Sequence, residues 1–417
     1  MIHKQSGLFV AGCLVATVLG GCLGDEGRSK NFDGPWVRHT IDDSLRGADG
    51  VRVADVNADG LPDVTTGWEE AAVTRAYLHP GLDAVTEPWP AVTVGDTPNV
   101  EDAVWADVDG DGQTDVVSSL EGQAQVMTVS FAPEDPADFL DPAAWTTEPI
   151  PATAGRRWMF ALPMDVDGNG RIDLVVGGKR ANAILGWLES PADPRDLSAW
   201  TLHEISPAGW VMSIDAVDMN GDGLLDLLVS DHGTESIHGV YWFEQPSDPL
   251  ALRGRWTPRL IGARRRSPAF VAPVLGDDAK LRGVVVPSGK ARLTLFERES
   301  NAGDLWSIHA IAYPALLGSP KAAAVGDIDE DGVLDVVLSC TNLIGREDGI
   351  VWFPGGAEPQ DIAPEKLPLS GAQGEKFDRV ELLDLDGDGD LDVLTTEELQ
   401  KFGVVWYENP LRSPRED

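Results

Sequence analysis

"DVDGDGQTD", residues 107–115, sets four aspartates at positions 1, 3, 5 and 9 of a nine-residue stretch, with glycine at position 6. Alone it reads as a solvated turn. It recurs, however, as "DVNADGLPD" (55–63), "DVDGNGRID" (165–173), "DMNGDGLLD" (218–226), "DIDEDGVLD" (327–335) and "DLDGDGDLD" (384–392). Between the fourth and fifth intact copies lies "GDDAKLRGVVV" (276–286). It keeps the Gly-Asp entry and the apolar exit but has lost two residues and most of the acids. Counting it gives seven copies at intervals of 50 to 59 residues. A period of that size marks a propeller or a solenoid.

Other landmarks keep the same beat. Trp36, Trp89, Trp145, Trp200, Trp256 and Trp306 each open a short apolar run such as "WTLHEI", and units close on "GWLESP", "VYWFEQP", "IVWFPG" or "VVWYENP". Each unit reads as four short strands. Strand A leads into the Asp loop, as in "VRVADV"; strand B follows it, as in "DLVVGG". Strand C ends in the aromatic signal, and strand D begins at the Trp. Alternating apolar runs bounded by Gly, Pro and Asp are strand signals, and no amphipathic helix of useful length interrupts them. The fold class is therefore all-β, a seven-bladed β-propeller of four-stranded blades over residues 35–410. The ends close the ring: "WVRHTI" (36–41) is a strand D without a unit, and the last unit, ending in "VVWYENP" (404–410), lacks one. Residues 36–41 complete the last blade. An open solenoid would leave an edge that proteins avoid.

The spacing of the aspartates suits a hard cation. Calcium takes six to eight oxygens in a flexible cage, whereas magnesium demands a stricter octahedron. Candidate ligands are Asp55, Asn57, Asp59 and Asp63; Asp107, Asp109, Asp111 and Asp115; Asp165, Asp167, Asn169 and Asp173; Asp218, Asn220, Asp222 and Asp226; Asp327, Asp329, Asp331 and Asp335; and Asp384, Asp386, Asp388 and Asp392. Asn replaces Asp with a neutral oxygen of the same reach, and Gly at position 6 permits the bend. About six structural Ca2+ ions are expected, tying strand A to strand B. Carboxylates crowded at this density without a cation would raise their pKa or unfold the loop. In the fifth loop Lys280 and Arg282 either replace the ion or lie on a solvated turn.

These loops resemble the FG-GAP/VCBS repeat family, which includes integrin α-subunit propellers and some fungal lectins; the missing "FG…GAP" pairs bring the chain nearer the bacterial VCBS branch. The resemblance implies the propeller and its calcium sites, not the ligand.

The chain has 417 residues and a net charge of −37, which argues against nucleic acid and anionic lipid as general partners. Residues 1–21 read as a signal peptide, with Lys4 ahead of an apolar stretch from Leu8 to Leu19 that is too short to span a bilayer. "LGGC" resembles a bacterial lipoprotein processing box, which implies lipidation of Cys22 and a membrane anchor. Leu23 after the cysteine favours the outer membrane of a Gram-negative cell envelope. Residues 22–34 read as a flexible tether and 411–417 as a tail. Cys13 leaves with the signal, so Cys340 has no disulfide partner in the mature chain.

The Asp loops share one face; the B–C and D–A connections share the other, where sequence varies most. Basic and aromatic residues gather there: Arg156, Arg157 and Trp158; Lys179 and Arg180; Trp210 and His232; Arg264, Arg265 and Arg266; Lys290 and Arg292. Arginine forks grip carboxylate or sulfate, and aromatic faces stack on sugar rings. The expectation is a binding or adhesion module for an acidic glycan or a protein partner; solvated loop cations are the plainer reading. The alternative is a carbohydrate-active enzyme of lyase or dehydratase type, a class that includes similar propellers, with His232 as acid or base beside Asp231 and Glu235.

Overall fold

The computed structural model describes residues 34–412 except 234–237, 277, 290–291, 300–304, 312–316, 346 and 357–366. Residues 1–21, expected as a signal peptide, and Cys22, Glu235 and Lys290 lie outside the described residues. Seven four-stranded antiparallel sheets form the seven blades. Blade 3 is representative: strand A Arg157–Met164, B Asp173–Lys179, C Ile184–Glu189 and D Thr201–Pro207. Its strand B is buried at every residue, because other blades cover both faces of the sheet. This explains why strand B reads as a continuous apolar run rather than an alternating one. Blade faces approach closely: a Cβ on Gly177 would meet Val211 Cγ1 of blade 4 at 2.5 Å.

The ring closes as the chain ends require. Val37–Asp42 is the outer strand of the last blade, antiparallel to Gly403–Glu408, with Val37 opposite Glu408 and Thr40 opposite Val405. The backbone N–H of Trp36 donates to Leu369 O of blade 6 at 2.9 Å.

The two sequence landmarks keep one period because they pack on each other. The Trp ahead of strand D lies in one apolar cluster with the position-2 residue of the preceding blade's Asp loop. The pairs are Trp36 with Ile328, Trp89 with Leu385, Trp145 with Val56, Trp200 with Val108, Trp256 with Val166, and Trp306 with Met219. Trp200 Nε1 donates to Pro194 O at 2.9 Å and Trp256 Nε1 to Leu252 O at 2.9 Å, so these two buried indoles leave no orphan donor. His39 and His203 of strand D bond Glu408 and Glu189 of strand C at 2.7 and 2.8 Å and lie against Trp406 and Trp187. They are packing residues.

Strands A line the axis, and their side chains fill part of it. Arg52 of blade 1 bonds Asp102 of blade 2 at 2.8 Å and lies 4.2 Å over the Phe160 ring of blade 3; Arg379 of blade 7 lies 5.8 Å from the same ring. Burial pushes Asp215 of blade 4 up to about 6, against the pull of Arg379 and Arg52.

Candidate metal loops and the opposite face

Each Asp loop is a nest of short turns. The position-1 carboxylate accepts from the position-6 N–H: Gly112 to Asp107 at 3.1 Å, Gly170 to Asp165 at 2.8 Å, Gly332 to Asp327 at 3.0 Å. Position 3 accepts from the position-5 N–H, and position 5 from the position-7 N–H. Two left-handed residues make the coil possible. Position 6 is glycine in all six loops (φ 84° to 95°), and position 4 is Gly110, Gly168, Gly221 or Gly387, or else strained Ala58 and Glu330 at φ 59° and 53°.

The position-9 aspartate opens strand B and is buried in all six loops. One oxygen accepts from the position-2 N–H, the other from the backbone just past strand C. Asp173 takes Val166 N at 3.0 Å and Ser190 N at 2.8 Å; Asp392 takes Leu385 N and Asn409 N at 2.9 Å each. This residue therefore joins strands A, B and C before any ion is considered. Burial raises its pKa, and neighbouring Asp residues add to the rise: to about 6 at Asp63, Asp226 and Asp335, about 7 at Asp115 and Asp173, and about 8 at Asp392.

Positions 1, 3 and 9 converge. Carboxylate oxygens of Asp107, Asp109 and Asp115 lie within 4.8 Å of one another, as do those of Asp165, Asp167 and Asp173, of Asp327, Asp329 and Asp335, and of Asp384, Asp386 and Asp392. In blades 1 and 4 the middle place belongs to Asn57 and Asn220, whose amides donate to Asp59 and Asp222 at 2.9 and 3.0 Å. Position 5 is not among the converging carboxylates. In blade 7, Asp388 Oδ2 and Asp390 Oδ1 are buried without a hydrogen-bond partner, and Asp390 is pushed up to about 8 by burial and by Asp388. Hard oxygens, converging carboxylates and these orphaned buried atoms fit a divalent cation of calcium's type.

Side chains of the next blade reach over these loops. Arg195 of blade 3 pairs with Asp109 of blade 2 and lies 3.5 Å from Asp111; Arg253 of blade 4 lies 3.5 Å from Asp167 of blade 3. Gln245 donates to Val166 O at 2.9 Å, and Asn409 to Ile328 O at 2.9 Å. Loop order is thereby coupled to the seam between blades. In the fifth loop Arg282 and Lys280 both face Asp278, at 2.9 and 3.6 Å, and all three are exposed. It is a solvated turn with its own surface ion pairs, which are worth little.

On the opposite face two expectations are corrected. Trp158 is fully buried, its Nε1 donating to Thr153 O at 2.8 Å, so it offers no ring to a ligand. Lys179 is 3% exposed and its ammonium bridges Glu101 and Glu121 at 2.7 Å each. Its chain position at the end of strand B turns it inward. Arg180, Arg264, Arg265, Arg266 and Arg292 are exposed; Arg156, Arg157, Trp210 and His232 are half-buried. Lys179 and Arg180 lie 5.0 and 5.5 Å from the Trp210 ring, which meets His232 edge-on. Asp231 and His232 form no dyad. Asp231 accepts from Gly209, Trp210 and Gly233 N–H, each at 2.8 Å, and His232 Nδ1 contacts Pro268 O at 3.2 Å. Burial lowers the His232 pKa.

A group near the axis on this face had no sequence motif. Glu69, Glu101 and Glu121 converge within 4.8 Å around Lys179. Beside them Asp378 is held near 2 by Lys321 and Lys376 against the effect of its burial, while burial and Asp378 push Asp49 well up. The one available signal was a charged residue at the end of strand B, Lys179, or directly after it, Glu69, Glu121 and Glu398.

The geometry defines a class: a closed seven-bladed β-propeller with carboxylate loops on one face. Residues 165–229 match the FG-GAP-like repeat family, so the repeat implied by the loops is present in blades 3 and 4. An alignment of 158 positions, covering 36% of this chain, is 29% identical to Protein FAM234B of Gallus gallus, and the chain spans 24% of that relative's length. The fold is similar to that of BBS1N, solved in complex with ARL6DN, with a TM-score of 0.51, 10% identity, and coverage of 91% of this chain and 99% of that one. A luciferin-regenerating enzyme aligns at a TM-score of 0.41 and 13% identity over 89% and 94%. At such identities the likeness is one of fold alone.

Proposed function

We propose that this chain is a calcium-stabilised binding module of the cell envelope that holds an acidic glycan on the face opposite its Asp loops. The repeat and the propeller support a binding-type module. The finer reading is carried by one observation. In a chain with 69 Asp and Glu, the arginines Arg156, Arg157, Arg180, Arg264, Arg265, Arg266 and Arg292 make no ion pair among the described residues, while Arg52, Arg75, Arg195, Arg253, Arg255 and Arg259 all do. These guanidinium groups, without an ion pair among the described residues, lie on the connections of blades 3 and 5, Arg180 5.5 Å from the Trp210 ring, and are suited to bidentate contact with carboxylate or sulfate.

Retention of the mature chain on immobilised polygalacturonate in calcium buffer tests this. Wild type is expected to be retained, and Arg264→Ser, Arg265→Ser and Arg266→Ser together to weaken it at least tenfold without releasing unsaturated sugar. Equal retention of the triple variant would count against the reading; unsaturated product would favour the lyase. Anchoring is proposed through lipidated Cys22, and Cys22→Ser is expected to move the chain from the membrane to the soluble fraction. A variant that stays with the membrane would remove the anchor.

A further inference from the structure

Resting on the calcium reading of the loops, we infer that blade 7 holds one more divalent cation of calcium's type than its repeat calls for, and that Asp388 and Asp390 are its ligands. Position 7 of the Asp loop is Leu61, Gln113, Arg171, Leu224 or Val333 in the other intact copies; only in blade 7 is it an acid, Asp390. Position 5 differs as well. Asp59, Asp111, Asn169, Asp222 and Asp331 are exposed, whereas Asp388 is 8% exposed and Asp390 2%. The carboxylates of Asp388 and Asp390 face each other within hydrogen-bonding reach. Even so, Asp388 Oδ2 and Asp390 Oδ1 have no hydrogen-bond partner. Ionised carboxylates only accept, so neither can satisfy the other. Two adjacent buried anions cost free energy until a cation joins them.

This is not the place of the loop ion. Oxygens of Asp384, Asp386 and Asp392 converge without Asp388, as the same three positions do in blades 2, 3 and 6, where position 5 is exposed. Nor does a side-chain cation fill it among the described residues. In blade 2, Arg195 comes within 3.5 Å of Asp111 at position 5. In blade 7 the nearby Arg412 spends Nη1 on Asp388 O at 3.0 Å and Nη2 on Glu330 of the blade 6 loop. The other oxygen of each carboxylate is already used: Arg412 N donates to Asp390 Oδ2 at 2.9 Å, and Asp390 N to Asp388 Oδ1 at 3.0 Å. One hard oxygen of each side chain is left over, enclosed and turned from water, as the ligands of a bound ion are. Charge points the same way. The five aspartates at 384, 386, 388, 390 and 392 carry −5, so a single divalent ion would leave −3 within nine residues. A second ion would also tie the segment at Arg412 to the blade 7 loop and, through Glu330, to blade 6.

Equilibrium dialysis of the full mature chain against labelled calcium, paired with melting in EDTA, tests the assignment. Asp390→Asn is expected to bind one ion fewer per chain than wild type. In EDTA it should melt no lower than wild type, because the repelling pair is relieved. Asp390→Leu, which restores the residue of blades 1 and 4, carries the same expectation and serves if the amide variant does not fold. An unchanged ion count beside a calcium-loaded wild type would mean that the pair shares a proton; the second ion would then be wrong and the loop ions would stand. Loss of two ions would make Asp390 a ligand of the loop ion and overturn the second ion equally. A wild type that takes up no calcium would bring down the calcium reading itself.

Discussion

Removing residues 36–42 is expected to abolish the sharp cooperative unfolding transition of the whole ring. The strand supplies the outer edge of the last blade and pairs along Gly403–Glu408. Without it that strand's outer N–H and C=O groups face water as an open edge, which invites aggregation. The loss extends beyond one ladder. Trp36, 6% exposed, packs in the cluster of Ile328 on the blade 6 loop, and His39 covers Trp406. Burial of large aromatics contributes about 3–5 kcal/mol each by truncation series, against a total stability of about 5–15 kcal/mol for a domain. A variant lacking residues 36–42 should be recovered as aggregate, or should melt in a broad transition at least about 10 °C lower by calorimetry. A soluble variant melting sharply at the wild-type temperature would mean that the ring does not depend on its closing strand.

The architecture was legible because each unit writes its landmarks at fixed local positions. Asp at 1 and 9 and Gly at 6 serve contacts within nine residues, and the Trp repeats because every blade must cover the loop before it. The left-handed turn at position 4 was partly hidden, since Ala58 and Glu330 occupy it in two loops. The opposite face was far less legible. Trp158 and Arg157 are neighbours in the chain, yet one is sealed in the core and the other half-buried, because alternate residues of a strand point apart. Lys179 and Glu101 are 78 residues apart, and Arg52 meets Asp102 and Phe160 only across the axis. No period in one chain reports such cross-blade pairs. The same holds for the absence of an Asp231–His232 dyad: three backbone donors claim the Asp231 carboxylate, and two of them, Gly209 and Trp210, come from a segment that the fold brings to it.

The other large effect concerns the ions. In the metal-free fold the position-9 carboxylates are held above their unfolded pKa of about 4, at about 6 to 8. For raised acids the sign is fixed: relative stability is fully present below about pH 4 and is lost as pH rises through about 6 to 8. In chelator the melting temperature should therefore rise on acidification from pH 8 toward pH 5. Calcium bound in the loops would reverse this, because it favours the charged forms and competes with protons for them. Each site bound at a hundredfold excess over its Kd adds about 2.7 kcal/mol to the native state, and six loops act on one ring.

At pH 7.5 the propeller is thus expected to melt at least about 15 °C lower in excess EDTA than in millimolar Ca2+, with the gap narrowing toward pH 5. Identical melts in EDTA and Ca2+ at pH 7.5 would contradict the claim that cations staple this propeller.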